Sequence, residues 1–189
     1  MDRNKRRTPV VDADFVHFVG LRRLNMSWCE SITDAAFVHL RGIQTLKMVG
    51  CDQSTITDAA FAHLKGIHTL DIACCDQSTI TDAAFAHLKG IHTLLMGNCS
   101  QVTITDAAFA HLKGIHSLSL RFCSQLTSAV FTHLKGVKRL NIGYSPELTL
   151  IGDFLKGIEW LNMHEHLEEQ VERAKSLGYP VDEEWVYGV

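Results

Sequence analysis

The chain has 189 residues, enough for one domain or one short repeat array but too few for two sizeable domains. Hydrophobic residues supply 46% and charged residues 21%, which excludes wholesale disorder, and no apolar run approaches the roughly 20 residues of a membrane span. A net charge of −3 gives no reason to expect nucleic acid as the partner, and no membrane partner is expected either.

Charge is unevenly spread. Met1–Arg7 carries a net +3 from Arg3, Lys5, Arg6 and Arg7 against Asp2. This basic arm lacks the apolar stretch of a secretory signal, so a cytoplasmic location is expected. A localisation or phosphate-binding signal and a plain solvated terminus are both open readings of it. Glu165–Val189 carries a net −5, which leaves the body of the chain at −1.

Self-similarity dominates the body of the chain. The string ITDAAFAHLKGIHTL fills 56–70, recurs unchanged at 80–94, and returns at 104–118 with Ser117 as its one substitution. Diverged copies start at Ile32, Leu126 and Leu148, and a partial first copy begins near Asp12. The starts from Ile32 to Leu148 are 24, 24, 24, 22 and 22 residues apart. Periods of this size mark a solenoid, in which each unit buries its apolar face only by stacking on its neighbours.

Each unit reads as a short strand, a turn, a short helix and a return. Ile67-His-Thr-Leu70-Asp-Ile72 alternates apolar and polar residues, as a strand with one buried face requires. Its counterparts carry Leu24/Met26, Leu46/Met48, Leu94/Met96, Leu118/Leu120, Leu140/Ile142 and Leu161/Met163, which predicts seven strands. Thr57 or Asp58 can cap the helix, Phe61 and Leu64 face inward, Lys65 suits the negative helix end, and Gly66 supplies a left-handed stop. Strands one repeat apart, joined by a crossover, must run parallel. The expected fold is an α/β open horseshoe with about seven parallel strands on one face and short helices on the other.

The frame Leu21-x2-Leu24-x-Met26-x2-Cys29-x2-Ile32-Thr-Asp resembles the cysteine-containing leucine-rich repeat, the subclass found in F-box substrate receptors and related intracellular proteins. The resemblance covers roughly 13–166, with 1–12 as arm and cap and 167–189 as a capping helix and tail. It implies a non-enzymatic module that binds another protein through the concave sheet, with substrate recruitment in a ubiquitin-ligase-type assembly as one setting. No F-box is read in the dozen residues before the first repeat. Three units depart from the pattern by two extra residues after the cysteine, at Cys51, Cys75 and Cys99; Ser145 and His166 replace the cysteine in the last two.

Cys29, Cys51, Cys75, Cys99 and Cys123 share one repeat position. The resemblance implies a buried side chain there that bonds the turn backbone, giving a ladder up the solenoid. Disulfides are disfavoured because equivalent side chains point the same way, and a four-cysteine zinc site because a linear ladder cannot converge tetrahedrally. Cys74 is expected as an accessible thiol on the concave side.

Histidines also repeat: His39, His63, His87, His111 and His133 on the helix, and His68, His92 and His116 after the return. Such ladders suggest a metal- or pH-responsive scaffold, against the plainer account that duplication copied a tolerated surface residue. Asp34, Asp58, Asp82 and Asp106 read as helix-start residues. No cofactor, metal or catalytic motif is expected. The near-identical repeats also admit a duplicated or consensus-built protein with no dedicated partner.

In the resembled fold the polar strand positions point onto the concave face, and here they vary while the framework does not. Asp71-Ile-Ala-Cys74 becomes Leu95-Met-Gly-Asn98 directly after an identical string, whereas His63, Lys65 and their copies barely change. The candidate binding residues are Trp28, Lys47, Asp71, Arg121, Phe122, Arg139, Tyr144, Trp160 and His164; Arg, Tyr and Trp are enriched at binding hot spots. Trp160 and Tyr144 could instead pack under a C-terminal cap. That cap is read in the amphipathic run from His164 to Gly178, with Leu167, Val171, Ala174 and Leu177 on one face. At the front, Pro9-Val10-Val11 and Phe15 are the expected cap. A monomer is expected, with another protein as partner.

Overall fold

The computed structural model describes residues 9–148 and 157–163, together with Glu172 and Ser176. Seven three-residue strands form one sheet in chain order: β1 (Arg23–Asn25), β2 (Thr45–Lys47), β3 (Thr69–Asp71), β4 (Thr93–Leu95), β5 (Ser117–Ser119), β6 (Arg139–Asn141) and β7 (Trp160–Asn162). Every pairing is parallel, and equivalent residues sit opposite one another: Leu24, Leu46, Leu70, Leu94, Leu118, Leu140 and Leu161 form one continuous row. The order is linear, so the sheet is open, with β1 and β7 at its edges.

The register follows from the apolar alternation. Leu46 and Met48, Leu70 and Ile72, Leu94 and Met96 all turn inward and are buried. Phe37, Phe61, Phe85 and Phe109 meet them from the opposite layer, each fully buried, and a phenylalanine so buried contributes roughly 1.5–3 kcal/mol. Phe15 closes the front of this core, whereas Val10 and Val11 of the expected cap are exposed. Phe15 therefore carries the cover.

The outer layer is tighter than an α-helical reading predicts. α1 (Asp34–Phe37), α2 (Asp58–Phe61) and α3 (Asp82–Phe85) are single α turns, each continued by three residues of 3-10 helix. The next two units use 3-10 helix throughout, at Asp106–His111 and Ser128–His133. Of the two cap candidates, the threonine takes the position: Thr57 is extended, and its hydroxyl accepts the Ala59 amide at 3.2 Å. Gly66 ends the turn at φ +81°, where no neighbouring atom would touch an added Cβ. It is required there by backbone conformation, not by space.

Candidate functional site

Between strand and helix the chain reverses through a turn whose left-handed residue recurs in the first six units. The amide of the cysteine-row residue bonds the carbonyl three residues earlier, as Cys29 to Met26, Cys75 to Ile72 and Cys123 to Leu120, each at 3.2 Å. The residue just before the cysteine row then adopts a left-handed backbone: Trp28 (φ 63°), Gly50 (67°), Cys74 (58°), Asn98 (59°), Phe122 (58°) and Tyr144 (59°). Glycine or asparagine ordinarily fills such a place, because a Cβ crowds the following carbonyl. Three aromatic residues occupy it here, and all are exposed: Trp28 at 67%, Phe122 at 40% and Tyr144 at 41%.

Near the C-terminal end of the described sheet Phe122 and Tyr144 join one patch with Arg121. Phe122 and Tyr144 stack with centroids 4.4 Å apart and planes at 20°. The Arg121 guanidinium lies over both rings, 4.9 Å from Phe122 and 4.8 Å from Tyr144. Arg139 lies 5.0 Å over Trp160, its neighbour in the pairing register. Gly97 and Gly143 flank Arg121; a Cβ on Gly143 would crowd Asn162 Oδ1 at 3.2 Å and Asn141 Oδ1 at 3.3 Å, whereas Arg121 would meet either added Cβ only at ordinary contact distance.

The remaining candidates are more scattered. Trp28 stands apart at the first unit, its ring filling the space a Cβ on Gly50 would need. Lys47 is exposed on β2. Asp71 is largely covered, and its Oδ1 accepts the Ala73 amide at 3.2 Å. Asn25 and Asn141 do the same for Ser27 and Gly143, so this carboxylate is partly committed to shaping its own turn. His164 lies outside the described residues, as does the expected capping helix apart from Glu172 and Ser176.

The cysteines are free thiols, and four of them form a ladder. Sγ of Cys51 donates to the Met26 carbonyl at 3.2 Å; Cys75, Cys99 and Cys123 donate to Met48, Ile72 and Met96, each at 3.1 Å. Ser145 continues the row, its hydroxyl bonding the Leu120 carbonyl at 2.8 Å. Cys29, at the start, is half-buried. Burial pushes Cys51 and Cys123 up to about 11 and Cys75 to about 12, and it raises Cys29 and Cys99 as well. Raised pKa values and burial together shield Cys51, Cys75, Cys99 and Cys123 from reagents. Cys74, half-buried in the turn row, meets Asn98 Nδ2 at 3.6 Å.

Alongside runs a glutamine row that the repeat pattern alone did not single out. Gln53, Gln77, Gln101 and Gln125 each send Nε2 to the carbonyl of the preceding unit's cysteine, at 2.8–3.1 Å. Its signal was a glutamine two residues after the cysteine in four successive units.

His68, His92 and His116 stack as three imidazoles, with centroids 4.5 and 4.4 Å apart and planes within 14°. His68 Nδ1 and His92 Nδ1 pair with the following threonine hydroxyls at 3.2 Å. His116, followed by Ser117, leaves a buried Nδ1 without such a partner. Parallel rings hold their lone pairs parallel, not converging. Among the described residues no group of three or more His, Cys, Asp or Glu is placed to hold a metal ion.

An open parallel sheet built from equal units, with short helices on its other side, is the architecture of a leucine-rich-repeat solenoid. No protein-family model matches the chain, and no curated protein matches it. Among solved structures, a chain in the crystal structure of the Rad7 and Elc1 complex in yeast is similar with a TM-score of 0.48 and 14% identity. The match covers 82% of this chain and 40% of that one, so this chain spans well under half the neighbour's length. No helix among the described residues is long and apolar enough to cross a membrane.

Proposed function

We propose that the chain is a recognition module that binds another protein through the strand face of its sheet, with the patch around Arg121, Phe122, Arg139, Tyr144 and Trp160 at the centre. One observation carries this reading: exposed aromatic residues hold a left-handed backbone at a position where Gly50 meets the same geometry without strain. Side chains kept against a backbone cost of about 1–2 kcal/mol each, and left in solvent, contribute elsewhere than in folding. Aromatic and arginine side chains are also the types that dominate binding energy. The cysteine-containing subclass is the family reading that the thiol row supports. Recruitment of a substrate to a ubiquitin-ligase-type assembly, with catalysis on other chains, is the setting that subclass implies.

Affinity capture from cell lysate, comparing wild type with a folded Phe122→Ala/Arg139→Glu/Tyr144→Ala variant, tests this. A protein retained by wild type and lost by the variant supports the reading. Equal retention by both moves the binding surface elsewhere.

The histidine stack favours a second reading, a pH-responsive scaffold. Desolvation lowers the His92 pKa first, and the adjacent His116 and His68 lower it further. Protonating the stack places like charges on rings less than 5 Å apart.

A further inference from the structure

The strand face carries the opposite charge to the chain. Against an overall −3, the outward residues of the described units hold Arg23, Lys47, Arg121 and Arg139, with Asp71 as the one acid among them. Just after the cysteine row, Glu30, Asp52 and Asp76 line the first three units, whereas Ser100, Ser124 and Pro146 take the same place in the next three. Positive character therefore grows toward Arg121 and Arg139. Both arginines are exposed and ordered over aromatic rings. Lys138 Nζ pairs with Glu159 at 3.2 Å, just ahead of the neighbouring strands β6 and β7. Among the described residues neither guanidinium meets a carboxylate.

A guanidinium lying over a ring is positioned at little further entropic cost, and its in-plane N–H fork stays free for a planar acceptor. Resting on the concave-recognition reading, we infer that the face around Arg121 and Arg139 takes an acidic segment of a partner protein, its carboxylates accepting from the two arginine forks. Protein is favoured over nucleic acid by the small number of cations in the patch. A nucleic-acid backbone needs a groove of positive charge along its length, whereas this patch offers two guanidiniums, and the Phe122–Tyr144 stack leaves each ring at most one face for a base.

Fluorescence anisotropy with a labelled peptide of alternating glutamate and serine tests the inference. The comparison probes are the same peptide with glutamine for every glutamate, its phosphoserine form, and an oligouridylate. Wild type should bind the glutamate peptide, more weakly as salt rises. Arg121→Gln/Arg139→Gln should weaken that binding by about tenfold or more, as expected for two lost charge-assisted contacts. Lys65→Gln/Lys89→Gln, which removes the same charge from the helix side, should leave it unchanged.

Four results overturn the inference: equal binding of the glutamine peptide, equal weakening by the lysine variant, preference for the phosphopeptide or oligouridylate, or no binding of any probe. Its failure is separable from that of the recognition reading. If a lysate partner still depends on Phe122 and Tyr144 while the glutamate peptide fails, the surface stands and its acidic preference falls.

Discussion

Asp58 grips Thr81 of the next unit with both carboxylate oxygens: Oδ1 accepts the Thr81 amide and Oδ2 accepts its hydroxyl, each at 2.7 Å. The same hydroxyl accepts the Ala83 amide and so caps the next helix. The link recurs in each successive pair of units from Asp12–Thr33 to Asp106–Thr127. Each helix start thus fixes the one after it. Asp58→Ala should cost about 1–2 kcal/mol in urea denaturation, the range for charge-assisted bonds in a half-buried setting. A loss under about 0.5 kcal/mol would show that the clasp contributes nothing to coupling between units.

At Phe122 the usual ranking of substitutions should invert. Alanine loses the ring contacts with Tyr144 and Arg121 yet keeps the left-handed strain. Glycine loses the same contacts and relieves the strain. Phe122→Gly should therefore be more stable than Phe122→Ala by about 1 kcal/mol. Thermal or chemical denaturation of the pair decides it, and the opposite order would mean that the turn is unstrained.

The thiol ladder sets an alkaline limit on stability. In the unfolded chain these thiols titrate near 9; in the fold, burial holds Cys51 and Cys123 up to about 11 and Cys75 to about 12. Between those values the folded state keeps protons that the unfolded state has lost. Stability is thus full below about pH 9 and falls as pH rises toward 11–12, at up to ~1.4 kcal/mol per pH unit for each thiol. Cys75→Ser should give a shallower alkaline limb, since Ser145 already fills this row with a hydroxyl. In the native protein, alkylation should reach half-buried Cys29 and Cys74 before the four buried thiols.

On the acid side the histidine stack has the opposite sign. His92 is held below its ordinary value near 6.5, so the unfolded chain takes up its proton first. Stability contributed by the neutral stack is present above about pH 6.5 and declines as pH drops below it. His92→Gln separates His68 from His116 and should flatten the decline between pH 7 and pH 5. An unchanged slope would place the acid sensitivity in other groups.

Much of the fold was legible because its determinants are local. Leucine alternation placed all seven strands, and Phe61, Leu64 and Gly66 marked the packed face and stop of each helix. What depended on contact between units was harder to read. The sequence left Thr57 and Asp58 as rival caps, whereas the structure uses the threonine as cap and sends the aspartate 23 residues onward. Repetition of the Thr-Asp pair in register was the available clue. The aromatic positions were visible as outward-facing, but their left-handed backbone was not; Gly50 and Asn98 at the same offset were its traces. The histidine rows were plain in sequence, yet stacking at 4.4–4.5 Å follows from the spacing of parallel strands.

Because every clasp joins equivalent atoms of adjacent units, the molecule tolerates arithmetic in whole units. Excise residues 56–79, and Asp34 meets Thr81 where it had met Thr57, while the Cys99 thiol finds the Met48 carbonyl in place of Ile72. The interior rows close over the gap, and only one rung of outward residues disappears. Unequal recombination between near-identical segments would therefore yield folded chains of different lengths. In such a lineage the reach of the recognition face can change in single jumps of 24 residues, without any rewriting of the framework that carries it.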